Sequence, residues 1–231
     1  MLTAYTRGDY ANALAMSDMA ASCGSNEGVF RGDLLMQLGR FAEAEQTLAH
    51  ALTLETEPKS TALANCVMGE LFLHQQRYEH ASSCFVTAVK LWPERGSTHR
   101  DIAEVWLRRG GNPTEALRWA RLAVEKEKAS QGFAPVTKVA NLGAELATLA
   151  WAVAVCSRDA AEVERLVAEA DSLCGGVPVS TIARVHVFCG MAYAALGDEA
   201  KRTQHFAAAA RADANGIWGR EAQMLTAPVC C

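Results

Sequence analysis

The sequence predicts an all-α protein, a solenoid of about five to six stacked helix hairpins with a C-terminal capping helix. Three observations carry that expectation. A short pattern recurs: a small or turn residue, an aromatic two places later, then an alanine three further on. It reads Gly8-Asp-Tyr10-Ala-Asn-Ala13, Gly39-Arg-Phe41-Ala-Glu-Ala44 and Gln76-Arg-Tyr78-Glu-His-Ala81, with a weaker copy at Gly111-Asn-Pro113-Thr-Glu-Ala116. Ala13, Ala44, Ala81 and Ala116 stand 31, 37 and 35 residues apart, a period that marks repeat architectures. The composition suits closely packed helices. Half of the 231 residues are hydrophobic and only 7% aromatic, with alanine spread through every segment. Turn residues punctuate the chain at regular intervals.

The elements follow in chain order. A lone helix near 10–22 comes first. Helix pairs then fall near 26–38 and 41–55, 60–75 and 78–92, 97–109 and 113–129, 136–157 and 159–173, and 180–196 and 199–213. Within each pair apolar residues recur every three or four places, as an amphipathic helix requires. Breaks at Pro58, Pro93-Glu-Arg-Gly96, Gly132-Phe-Ala-Pro135 and Gly175-Gly-Val-Pro178 set the boundaries. Gly8, Gly39 and Gly197 are placed to end first helices in a left-handed cap. Residues 136–157 are nearly all apolar, which predicts a helix buried on most sides in the thick centre of the C-terminal half. A short helix near 217–225, carrying Trp218, follows the Asn215-Gly216 turn. Residues 1–213 therefore read as one repeat domain and 214–231 as a capping helix with a flexible tail.

The residues at the hairpin positions resemble the tetratricopeptide repeat family. The best copy runs from Asn65 to Pro93, with Met68-Gly69, Phe72, Ala81, Phe85, Ala88 and Pro93 at the family spacing, and Asn65 where the pattern begins with Trp. A second has Gly32, Leu35, Ala44, Leu48 and Ala51. A late copy has Cys189-Gly190, Tyr193, Gly197-Asp198, Phe206 and Ala209, with Arg202 in place of a small residue, which predicts looser packing there. The resemblance implies a right-handed α-solenoid that binds another protein. Independently of the name, a glycine inside a first helix costs about 1 kcal/mol relative to alanine. That cost is offset where the bare backbone lets the partner helix approach.

No catalytic or metal-binding motif stands out. His99-Arg100-Asp101 matches the catalytic-loop tripeptide of protein kinases, but no Gly-rich loop, Asp-Phe-Gly or following Asn accompanies it. It reads as the solvated first turn of a helix. There is no P-loop, no GxGxxG, no GxSxG and no HExxH. His74 and His80 read as polar residues flanking a turn. Glu162, Glu164 and Glu169 read as solvating. The eight cysteines form no CxxC, and no histidine cluster has zinc spacing. Six of them read as small apolar fillers kept reduced in a cytoplasm. Cys230-Cys231 resembles the double-cysteine ending that vesicle-trafficking GTPases prenylate, but no polybasic segment precedes it. No cofactor is expected.

The net charge of −4 argues against a nucleic-acid partner. The N-terminus has no signal-peptide pattern, and the most apolar run, Leu146 to Cys156, is too short to span a bilayer, so no membrane partner is expected. In the family it resembles, first helices line a concave groove. Transferring that geometry gives Val29, Asp33, Met36, Leu63, Cys66, Glu70, Leu73, Asp101, Val105, Arg108 and Arg109 as partner-binding residues, an apolar floor with a polar rim suited to a helix or a peptide. The carboxylate clamp of the chaperone-tail-binding members is missing, since the matching places hold Val29, Asp33, Val67, Thr98 and Ile102. An interaction scaffold predicts an open groove; an enzyme predicts an enclosed polar pocket with perturbed carboxylates. The half-helix before Gly8 suggests a second role, as the peptide- or ligand-sensing module of a larger regulator that begins upstream of Met1. Exposed solenoid ends would also allow a homodimer.

Overall fold

The computed structural model describes residues 1–22, 27–131 and 134–227. Cys23, Cys230, Cys231 and part of the Gly132-Phe-Ala-Pro135 break lie outside them.

Among the described residues the chain is helical, with thirteen helices arranged as six hairpins and one final helix. The first hairpin is α1 (Leu2–Thr6) with α2 (Tyr10–Ser22). Next come α3 (Gly28–Gln37) with α4 (Phe41–Leu54), and α5 (Pro58–His74) with α6 (Tyr78–Leu91). They are followed by α7 (Gly96–Arg108) with α8 (Pro113–Ala129), and α9 (Pro135–Cys156) with α10 (Ala160–Ser172). The sixth hairpin is α11 (Val179–Leu196) with α12 (Glu199–Ala212), and α13 (Ile217–Thr226) ends the described chain. The half-helix expected before Gly8 is α1. Its five residues are too few to show a period.

Local chemistry explains the boundaries. Pro58, Pro113 and Pro135 stand in first turns, where the missing N–H is not needed. Asn112, Asp159 and Asp198 accept hydrogen bonds from free N–H groups of α8, α10 and α12 at 3.0–3.1 Å. The turn inside each hairpin has one residue with positive φ. Glycine fills it at Gly8, Gly39, Gly110 and Gly197, whereas Gln76 (φ 59°) and Arg158 (φ 55°) take the same conformation without being glycine.

The repeat packs by interlock. A side chain on Gly32 would collide with Leu48, one on Gly69 with the Phe85 ring, and one on Gly190 with the Phe206 ring. The sixth hairpin is therefore as tight as the others, despite Arg202. The Ala44, Ala81 and Ala209 side chains on the second helices are fully buried. One continuous apolar core runs from Tyr10 to Ala222. Within it α9 is buried at almost every position from Gly143 to Ala154, packed on α7, α8, α10 and α11. By length and composition α9 and α11 are each apolar enough to cross a membrane, because the apolar run seen in the sequence extends into a 22-residue helix. In the fold α9 is largely buried inside the array.

The two ends of the array meet. Tyr10 Oη on α2 donates a 2.6 Å hydrogen bond to Asp213 Oδ2 in the turn before α13. A side chain on Gly8 would touch Val179 at the start of α11. The solenoid is thus closed on itself, and α13 lies on its inner side.

Candidate functional site

The first helices α3, α5, α7, α9 and α11 turn toward a shared interior, and α13 occupies it. Trp218 anchors that helix and is 1% exposed. Its ring meets His74 of α5 edge-on at 4.7 Å and Phe188 of α11 at 5.3 Å. The Arg184 guanidinium lies 4.6 Å from the ring centroid and Arg108 lies 5.8 Å away. Cation–π attraction is strongest where water is excluded, as here. Gln37 at the end of α3 holds the first turn of α13. Its Oε1 accepts from the Ile217 N–H at 3.2 Å, and its carbonyl accepts from Arg220 at 2.8 Å. Glu221 pairs with Arg108 at 2.7 Å, and Arg108 also binds Glu104 at 2.6 Å.

Beside α13 the interior is charged. Glu70 of α5 receives Arg184 at 3.0 Å and Arg100 at 3.5 Å, and Arg100 reaches Asp101 at 2.6 Å. Glu70 and Arg184 border a cavity of 210 Å³ that is also lined by Tyr5, Asp33, Arg95 and Ser180. Burial, aided by the Glu70 charge, pushes the Asp33 carboxyl up to about 6. Burial would raise Glu70 too, but Arg184 and Arg100 outweigh it and hold the carboxyl below its usual range. Burial holds the Glu145 carboxyl well above the carboxylate range, and both of its oxygens are buried without a hydrogen-bond partner. Burial and the nearby arginines keep His74 neutral.

Asp33, Glu70 and Arg108 do come together, around α13 and the cavity. Asp101 joins them only through Arg100 and is buried. Met36, Leu73 and Val105 belong to the core, Cys66 sits in a satellite cluster with Ala62 and Ala88, and Val29 is half-buried against the core. Leu63 is exposed. Arg109 turns outward to Glu79 of α6 at 3.3 Å. Three readings are corrected. His99, Arg100 and Asp101 form a buried turn, not a solvated one, because Arg100 and Asp101 neutralise each other and His99 bonds the Arg95 carbonyl at 2.9 Å. His74 is packed beneath Trp218 and is no surface turn residue. The open groove expected of a scaffold is also corrected, since α13 fills it. Arg184, Trp218, Glu221 and Gln37 were missed because no local spacing connects α13 to α3 and α5.

Residues 29–58 match the sequence model of the tetratricopeptide repeat family. They span α3 and α4, with Gly32 locked on Leu48. That one hairpin is similar to a tetratricopeptide repeat. The fold of the chain is similar to BtubC (BKLC) from P. vanneervenii, at 16% identity and TM-score 0.55, covering 98% of this chain and 92% of that one. It is also similar to a substituted form of the nearly identical TPR-like repeats of a kinesin light chain from Podosopora anserina, at 14% identity and TM-score 0.52, covering 81% of this chain and 93% of that one. These likenesses concern the fold. No curated protein is similar enough in sequence to count as a relative. The matched copy has Gly39 at its turn, where the 65–93 copy has Gln76.

Proposed function

We propose that this protein is an interaction scaffold whose concave face accepts a short amphipathic helix, and that α13 occupies that face in cis. One observation carries the reading. α13 presents a buried aromatic anchor, Trp218, ringed by Arg108, Arg184 and Glu221, which is the anatomy of a helix-in-groove interface. A partner helix with an indole anchor and an acidic neighbour would compete for the same place. The net charge of −4, with interior arginines committed to ion pairs, favours a protein partner over a nucleic acid. Free thiols at the described cysteines suit a reducing cytoplasm. Guanidiniums account for the Glu70 shift, and burial with the Glu70 charge accounts for the Asp33 shift, causes that act without catalysis. We therefore read the site as binding rather than catalytic.

The test offers a labelled peptide of residues 214–227 to a chain ending at residue 213. Saturable binding, weakened at least about tenfold when the peptide has Trp218→Ala, supports the reading. A folded truncated chain that ignores the peptide overturns it. If the truncated chain does not fold, the peptide is offered to the full chain with Trp218→Ala, which should bind it more tightly than the parent does. Equal binding by the two then counts against the proposal.

A second reading rests on the 210 Å³ cavity. Its mix of Asp33, Arg184, Arg95 and Ser180 suits a small polar ligand, as a sensing module would require.

A further inference from the structure

Away from the interior, the last hairpins bring five metal-ligating side chains to one seam. Asp171 stands at the end of α10 and Cys174 three residues later. His186 and Cys189 share one face of α11, again three apart, and His205 comes from α12. His186 Nδ1 lies 3.2 Å from His205 Nδ1 and 3.5 Å from Asp171 Oδ1. The ligating atoms of Asp171, Cys189 and His205 lie within 4.8 Å of one another, as do those of Asp171, Cys174 and His186.

Three features point to a cation. Two imidazole nitrogens face each other, and without an ion one ring must spend its proton on the other. Asp171 Oδ1 is buried and has no hydrogen-bond partner. The separations of 3.2 and 3.5 Å match the edges of a tetrahedron around zinc, about 3.3 Å for ligand bonds of about 2.0–2.1 Å. Burial favours the neutral, ligating form of both histidines. Tyr193 stacks on His205 at 5.4 Å and fixes its ring.

We propose that Asp171, His186 and His205, with one thiolate from Cys174 or Cys189, bind a single divalent cation of the zinc class in tetrahedral geometry. The ion ties α10, α11 and α12 together. On binding, the thiol gives its proton to solvent as the metal–sulfur bond forms, so affinity falls as pH falls. Burial pushes the Cys174 thiol up to about 11 and holds the Cys189 thiol well above its ordinary value, so a neighbouring cation is what makes either thiolate accessible at neutral pH.

The experiment uses the untagged full chain, reduced and stripped with a chelator, then titrated with Zn2+ and separately with Co2+. The expected result is one ion per chain, with tetrahedral cobalt d–d bands and a thiolate charge-transfer band. His186→Ala and His205→Ala should each weaken binding more than about a hundredfold, beyond what an outer-shell change costs. His99→Ala should leave it unchanged. Cys174→Ser and Cys189→Ser show which thiol ligates, because only one of them should remove the charge-transfer band. Circular dichroism confirms that each variant folds. If His205→Ala does not, His186→Ala reads the same site. No tetrahedral cobalt spectrum, zinc binding that survives both histidine substitutions, or a Cys174–Cys189 disulfide that persists in the reduced chain would overturn the proposal.

Discussion

Asp33 shows how a single side chain records the closure of this array. It sits between Tyr5 of α1, Gln37 of α3 and Glu70 of α5, with Arg184 of α11 across the cavity. Burial and the Glu70 charge raise its carboxyl from 3.8 to about 6. The folded chain therefore holds this proton more tightly than the unfolded chain does. The stability linked to it is fully present below about pH 4 and is lost as pH rises through about 6. Asp33→Asn removes the titrating group and keeps an oxygen for Gln37, which donates at 3.3 Å. The variant should gain stability over the parent above about pH 6 and lose that advantage below about pH 4. Urea unfolding of both proteins across this range checks it. A difference that does not change with pH would mean that Asp33 is solvated.

At the scale of the helix, each hairpin is an interlock of a bare backbone against a large side chain. An added Cβ on Gly69 would lie 2.5 Å from the nearest Phe85 ring carbon, and Phe85 is fully buried with nowhere to move. Two effects compete in Gly69→Ala. Helix propensity gains about 1 kcal/mol. Overpacking costs about 1–3 kcal/mol. With the ring immobile the second should win, giving a net loss of up to about 2 kcal/mol. Phe85→Leu in the same chain should recover part of that loss, so that the pair is non-additive in a double-mutant cycle. Additive losses would show that α5 and α6 already separate enough for a methyl group. This lock is also what made the fold legible. Gly69, Phe85, Ala81 and their counterparts lie within one repeat, so their spacing states the contact. Caps at Asn112, Asp159 and Asp198 are local in the same way. The site was less legible because its contacts are long-range. Glu70 meets Arg184 across 114 residues and Gln37 meets Ile217 across 180, and no periodicity encodes either. The seam of Asp171, Cys174, His186, Cys189 and His205 lies in between. Its two three-residue spacings are visible in the chain, but only the α11–α12 hairpin brings His205 to them.

For the whole molecule the question is whether the six hairpins melt as one. An open solenoid behaves as a row of neighbours, each held only by the next, and its ends fray first. Here the ends are tied. Tyr10 Oη reaches Asp213 Oδ2, Asp213 Oδ1 accepts the Gly216 N–H at 3.1 Å, and α13 then joins α3, α5 and α7 through Gln37, His74 and Arg108. Within the first hairpin α2 packs into the core through Tyr10, Ala13 and Leu14, whereas α1 is a five-residue helix with no fully buried side chain. Tyr10→Phe keeps the ring in the core and removes one hydroxyl. It leaves a buried carboxylate oxygen without its donor, at a cost of about 1.5–3 kcal/mol. If closure makes the array cooperative, the variant should do more than shift its urea midpoint. Amide exchange in α2 and α13 should quicken together although they lie at opposite ends of the chain, and the denaturant slope should fall as the ends melt ahead of the centre. A lower midpoint with an unchanged slope and an unchanged exchange order would mean that the Tyr10–Asp213 bond stabilises its own corner only. The continuous core along α9 and α11 would then be what unites the fold.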